Sequence, residues 1–142
     1  MKIFIDANVF IDIFDPGREY HKFSKKFYDY SLSRNFKLYT SCDLMTTIYY
    51  ISRKLDRADR LKNIQIINST VEIIEFSNKE IEKVCELMLN DSDYKDLEDT
   101  LQCLLAEKIE CDFIVSNDKN FVSKTLKVFS SKQFCEIFLD AS

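Results

Sequence analysis

Lys2-Ile3-Phe4-Ile5-Asp6-Ala7-Asn8 decides how the rest of this chain is read. A short apolar run bounded by polar residues reads as a buried strand, and this one ends on a carboxylate. Phe113-Ile-Val-Ser-Asn-Asp118 repeats the arrangement near the other end, and Asp96-Leu-Glu98-Asp99 opens an amphipathic helix between them. In an open parallel sheet, ligands bind just outside the carboxyl ends of the strands. Three distant segments can therefore bring Asp6, Asp99 and Asp118 to one sheet edge. Close like charges repel, so the cluster needs a bound cation or a shifted proton. The pattern points to a divalent-metal site.

Outward from these runs, residues 2–6 read as a first strand, 36–40 as a second and 71–75 as a third. Residues 112–116 make a fourth and 126–129 a short fifth. Helical spacing of apolar residues covers 18–34, with Phe23, Phe27, Tyr30 and Leu32. Ser41 is a candidate N-cap for a helix to Lys54, and another helix follows over 57–68. Ser77-Asn-Lys-Glu80 has the spacing of a capping box before Ile81, Val84, Cys85 and Met88. Residues 93–108 form the helix with Leu97, Leu101, Leu104 and Leu105. Ser130-Ser-Lys-Gln133 caps the last, before Phe134, Ile137 and Phe138. Strands alternating with helices predict an α/β fold. The expected architecture is a three-layer sandwich whose central, mainly parallel sheet has about five strands flanked by helices. Residues 1–142 read as a single domain.

Composition excludes several alternatives. Gly17 is the sole glycine, whereas phosphate-cradling loops of the dinucleotide-binding and P-loop kinds need several at fixed spacing. Five scattered cysteines without a Cys-x-x-Cys pair argue against a disulfide framework or zinc ribbon. Most lie among apolar residues, so buried reduced thiols are expected. His21 is the only histidine and sits in a lysine-rich stretch, which disfavours a histidine-based triad. No apolar run reaches the roughly 20 residues that span a bilayer. No signal-peptide pattern precedes Ile3, so a cytoplasmic protein is expected. The net charge of −4 does not exclude nucleic acid, because bound cations invert the field of an acidic site. Lys22, Lys25 and Lys26, and Arg53, Lys54, Arg57, Arg60 and Lys62, form basic clusters that also fit solvated helix faces.

Each acid taken singly has a plain structural reading. Asp6 fits a strand-end turn, Asp118 the N-cap of a short helix, and Asp99 a helix first turn favoured by the macrodipole. The combination changes the weight. Asp96 and Asp99, three apart, share a helix face that Glu98 does not share directly. If that face meets the sheet edge, Asp6, Asp99 and Asp118 converge.

At this point the sequence resembles the PIN-domain family. Lys2 to Asp12 (KIFIDANVFID), Asp96 to Cys103 (DLEDTLQC) and Ile114 to Phe121 (IVSNDKNF) look like its motifs, in order and spacing over nearly the whole chain. Ser41 to Ile51 (SCDLMTTIYYI) looks like a stretch common in one bacterial branch, the VapC-like toxin ribonucleases. The resemblance implies acids around a parallel sheet that bind Mg2+ or Mn2+ and cleave RNA. Asp6 matches the first acid, Asp99 the third and Asp118 the fourth, so the resemblance makes them the metal ligands. Asp96 and Glu98 match extra acids of the branch. The family's second acid, usually a Glu, falls at Thr47 or its neighbour. Either Thr47 contacts a metal-bound water, or Asp43 one turn earlier takes part, or the site is weaker. Asn8, Ser116 and Asn117 either orient a water or phosphate oxygen or serve the backbone turns.

The expected function is metal-dependent endoribonuclease activity by Asp6, Asp99, Asp118 and Asp96, with Asp96 or Glu98 orienting the attacking water. Carboxylates suit Mg2+, which takes few protein ligands and keeps several waters. The substrate class is single-stranded or looped RNA, read through its backbone and by stacking. Tyr49 and Tyr50 are stacking candidates, and core packing or a dimer interface is the competing role. Resemblance to the branch further implies a toxin held inactive by an antitoxin, and commonly a homodimer. The rivals are a catalytically weak or inactive PIN-fold interaction module and a receiver-like Mg-binding signalling domain. The latter normally needs paired acids after the first strand, and Asp6-Ala-Asn8 lacks them. An aspartyl phosphatase would need Asp where Asn8 stands.

Overall fold

The computed structural model describes residues 1–140. Its strands are β1 (Lys2–Ile5), β2 (Lys37–Ser41), β3 (Glu72–Ile74), β4 (Phe113–Val115) and β5 (Lys127–Phe129). All pair in parallel, in the order β3-β2-β1-β4-β5. The chain steps outward from β1 to β3, then crosses back to lay β4 on the other side of β1. The reversal falls between β1 and β4, where an open parallel sheet leaves a crevice at its carboxyl edge.

Side chains alternate across a strand, and here both faces are buried. Ile3, Ile5, Leu38, Phe113 and Val115 join one core; Phe4, Tyr39 and Ile114 join the other. The first core is covered by α1 (Ala7–Phe14), α2 (His21–Ser33), α3 (Cys42–Ile51), α4 (Arg57–Thr70) and α7 (Ser131–Phe134). The second is covered by α5 (Asn78–Asn90) and α6 (Leu97–Lys108). This is the expected three-layer α/β sandwich. Phe134 anchors the first layer: its ring meets Phe27 edge-on at 4.8 Å and stacks on Phe138 at 4.5 Å. Burying such a ring stabilises the fold by roughly 1.5–3 kcal/mol.

Several local expectations are corrected. Helix α1 directly follows β1 and was not expected, because Asn8-Val-Phe-Ile-Asp-Ile-Phe14 continues the apolar run with no turn residue to separate strand from helix. Ser41 does not cap α3 with its side chain; its Oγ donates to Asp43 Oδ1 at 2.5 Å instead. Ser77 and Glu80 form no capping box. The Glu80 carboxylate pairs with Lys108 of α6 at 2.9 Å, a tertiary contact that outcompetes the local one. Ser130 and Gln133 do form one. Helix α3 ends at Ile51 rather than Lys54, and α6 begins at Leu97, leaving 93–96 as the loop that enters it. Of the five free cysteines, Cys103, Cys111 and Cys135 are buried, whereas Cys42 and Cys85 are exposed. No helix among the described residues is long and apolar enough to cross a membrane.

Candidate active site

Asp6 stands where β1 ends and α1 begins. Its Oδ1 accepts the Ala7 amide at 2.8 Å, making it the N-cap of α1. Its Oδ2 accepts the Ser116 hydroxyl at 2.7 Å and the Asn8 side-chain amide at 3.1 Å. Asp6 is only 5% exposed. Burial pushes its carboxyl above the usual range, Ser116, Gln102 and Ala7 pull it back, and the Asp118 charge adds a smaller upward push. Ser116 thus ties the end of β4 to the end of β1 across the switch point.

On α6, Asp96 is the N-cap, accepting the Asp99 amide at 2.9 Å. Asp96 and Asp99 therefore do not sit one turn apart within a helix, as their spacing suggested; one terminates the helix on which the other rides. The Asp99 carboxylate is half-buried and meets no hydrogen-bond donor or cation among the described residues. Its pKa rises to about 7, first through burial and then through the charges of Asp6, Asp96, Asp118 and Glu98. The Glu98 carboxyl is also pushed up, by burial and then by Asp43, Asp6 and Asp96. Asp118 follows β4 in an exposed turn rather than capping a helix. Its Oδ1 accepts the Asn120 amide at 2.9 Å, and its own amide donates to Ser116 Oγ at 3.1 Å.

Asp96, Asp99 and Asp118 line one cleft of about 860 Å3, with Lys95, Lys119 and Lys124 on its rim. Asp6 is not among the lining residues; it lies buried beside them, close enough for its charge to act on Asp99. The acids are one electrostatic group, but they do not close into a cage. Among the described residues no three His, Cys, Asp or Glu side chains form a ready metal-holding group. Asp96, Asp99 and Asp118 share an open cleft with Asp6 buried beside it, an arrangement that the mutual repulsion of carboxylates favours. The donor chemistry still fits a hard divalent cation: every ligand is oxygen, and Asp99 is a half-buried carboxylate lacking any counter-charge. Mg2+ needs only one or two carboxylates and retains its waters, so an open set of acids accommodates it.

The remaining polar residues divide cleanly. Asn8 bridges the two strand ends, its Oδ1 accepting the Asn117 amide at 3.1 Å. The Asn117 side chain is fully spent within the fold. Its Nδ2 donates to Asp12 Oδ2 at 2.6 Å and Ser24 Oγ at 3.0 Å; its Oδ1 accepts the Ser131 amide at 2.9 Å and hydroxyl at 3.0 Å. Thr47 sits on α3 with its hydroxyl turned 3.5 Å from the Asp43 carbonyl oxygen. Asp43 is the α3 acid whose charge reaches Glu98. Tyr50 is exposed and Tyr49 half-buried under Arg60, whose guanidinium lies 4.5 Å from its ring centre.

Sequence reasoning passed over Asp12, which is 3% exposed and paired with Arg18 at 2.5 Å. A lone acid among Val9, Phe10, Ile11 and Ile13 was the available signal, since a buried charge requires a partner. It also passed over the lysine rim of the cleft, which comes from loops rather than from the two basic clusters. His21, by contrast, has a structural partner: its Nδ1 donates to the Asp12 carbonyl oxygen at 2.8 Å.

A family model described as the PIN domain matches residues 3–125. Ribonuclease VapC1 of Aquifex aeolicus (strain VF5) is 46% identical over 135 residues, covering 95% of this chain and 94% of that one. Among solved structures, VapC20 of Mycobacterium tuberculosis, a toxin that cleaves the sarcin–ricin loop, matches with a TM-score of 0.73 at 15% identity. It covers 88% of this chain and 96% of its own. VapBC2 of Rickettsia felis, solved on a fragment of its promoter DNA, matches with a TM-score of 0.63 at 16% identity, over 92% of this chain and 100% of its own. At these identities the solved structures speak to the fold alone.

Proposed function

The chain belongs to the PIN-domain family, and from that premise we propose that its acidic cleft is the active site of a divalent-metal-dependent endoribonuclease, the toxin of a toxin–antitoxin pair. The observation that carries the reading is Asp99, half-buried, unpaired and raised to about pKa 7 first by that burial and then by four neighbouring acids. A carboxylate in that state gains more from a cation than from water.

Asp6, Asp99 and Asp118 are the ligands, with Mg2+ or Mn2+ as the ion. Such an ion supplies Lewis-acid stabilisation of phosphate charge and a more acidic water. The chain's own residues do the rest. Ser116 and Asn8 hold the Asp6 carboxylate in place; Asp96 or Glu98 orients the attacking water. The absence of a histidine in the cleft agrees with carboxylates as the proton acceptors. Lys95 and Lys119, which form no ion pair within the described residues, meet the phosphates of a single-stranded or looped RNA. An antitoxin protein masks the site, the toxin acts as a homodimer, and both work in the cytoplasm. A weak or inactive interaction module is the second reading, favoured by Thr47 at the family's second-acid position and by the lack of a closed acid cage.

One experiment separates them. The protein is stripped with chelator and incubated with an RNA mixture with and without Mg2+ or Mn2+, alongside Asp6→Asn and Asp99→Asn. Cleavage is expected only with metal and only in the wild type. Metal-independent cleavage, or equal cleavage by Asp99→Asn, removes the proposed site; no cleavage under any condition leaves the interaction module.

A further inference from the structure

The acid cleft does not end at Asp118 and Lys119. The same two residues line a second cavity of about 510 Å3, which adjoins the first there and is walled by Tyr20, Lys132, Gln133 and Glu136. Its size is within the range of ligand pockets, and its wall carries chemistry that the fold leaves unused. Tyr20 is half-buried, yet its hydroxyl has no hydrogen-bond partner and no ring or cation stacks on it among the described residues. Lys119 and Lys132 form no ion pair among the described residues. Glu136 forms none either, although it follows Lys132 by four residues, a spacing at which opposite charges pair on a helix. The Lys132 ammonium instead lies 5.8 Å from the Phe23 ring centre. Gln133 Oε1 accepts the Ser130 amide at 2.8 Å, which steadies the side chain and leaves Nε2 free to donate. An aromatic face, two ammonium groups, an amide donor and a carboxylate thus open on one cavity beside the acids.

We propose that this second cavity is a nucleotide subsite that takes guanine, flanking the phosphate held at the acids. The inference rests on the ribonuclease reading above and deepens it, by naming the base that the bound strand presents beside the cleavage point. Bases of single-stranded RNA splay out and stack on aromatic side chains, and Tyr20 supplies the ring. Lys119, where the two cavities join, meets the phosphate between them, and Lys132 meets the next one. Glu136 selects the base. An ionised carboxylate only accepts hydrogen bonds, through two oxygens. Guanine presents two adjacent donors on its pairing edge, N1–H and the N2 amino group, which a carboxylate accepts side by side. Adenine, cytosine and uracil each set a lone-pair acceptor next to their one donor group on that edge, and a carboxylate is repelled by it. The free Nε2 of Gln133 donates to guanine O6.

The test titrates the metal-free protein with the 5′-monophosphates of guanosine, adenosine, cytidine and uridine, followed by NMR at the Tyr20 ring and the Glu136 backbone amide. Guanosine monophosphate is expected to shift both resonances and to bind roughly tenfold more tightly than the other three, within the discrimination of a bidentate contact to a base. Glu136 is exposed, so Glu136→Gln should keep the fold and bring the four nucleotides to within about twofold of one another. Tyr20→Leu should weaken all four, whereas Tyr20→Phe, which keeps the ring, should not. Equal affinities for the four, shifts confined to other surfaces, or a guanine preference that survives Glu136→Gln overturn the proposal. Because the titration involves neither metal nor turnover, those results leave the nuclease reading standing. Guanosine binding by a wild type that cleaves no RNA with Mg2+ or Mn2+ would instead overturn the nuclease reading, and with it the subsite's place beside a scissile phosphate.

Discussion

At the scale of single residues, the site is a set of carboxylates held in an unfavourable state, and the cost has a definite pH signature. Asp99 is raised from 3.8 to about 7, so the native state binds protons that the unfolded state has released over that interval. Its contribution to stability is full below pH 4 and is lost as pH rises through about 7. Asp6, shifted in the same direction, adds to the slope. In chelator the melting temperature should therefore fall as pH rises from about 4 to about 7, and Asp99→Asn should flatten the fall. Asp99 is only half-buried, so solvent screening limits the gain for Asp99→Asn at pH 8 to on the order of 1 kcal/mol. An unchanged slope in that variant, measured by thermal scans, would place the strain elsewhere. Cation affinity should show the reverse trend, rising with pH up to about 7 as Asp99 loses its proton. Asn117 makes a separate prediction. Its amide joins Asp12, Ser24 and Ser131, from α1, α2 and α7, and Asn117→Ala should cost about 3 kcal/mol by urea denaturation, because it strands several buried polar groups at once.

At the scale of elements, end signals were legible only where neighbours did not compete for them. Ser130 and Gln133 keep their reciprocal bonds, so Ser130→Ala should cost about 1 kcal/mol. Ser77 makes no cap bond, so Ser77→Ala should change stability by less than about 0.5 kcal/mol, despite the matching sequence pattern. The same urea titration distinguishes the two. The strands were readable because each is a short apolar run, buried on both faces. Helix α1 was not, because Asp6 ends a strand and caps a helix in one residue, and the apolar run passes through it. The site divided in the same way. Asp6, Asp99 and Asp118 stood out as acids at the ends of apolar runs. Asp12 was hidden inside such a run, and the openness of the acid cleft depends on distances that no spacing encodes.

At the scale of the whole molecule, the topology does the placing. The β1/β4 reversal brings residues 6 and 116 into hydrogen-bond contact across 110 positions of chain, and α6 packs against the second face to present Asp99 beside them. The receiver-like alternative falls with the family assignment. If this protein of net charge −4 binds RNA as proposed, the cleft lysines are the local positive charge available to the phosphates. Lys95→Ala with Lys119→Ala should raise KM for RNA, leave kcat nearly unchanged and reduce the salt dependence of KM by about one to two counterions; an unaltered salt slope would put the RNA elsewhere. In the proposed function, the acids of three distant segments share one divalent cation. Anomalous diffraction from crystals soaked in Mn2+ tests this most directly. The expected result is a peak in the cleft within coordination distance of Asp99 and at least one of Asp6 and Asp118. Saturating Mn2+ with no peak in that cleft, or with peaks only on other surfaces, would contradict it.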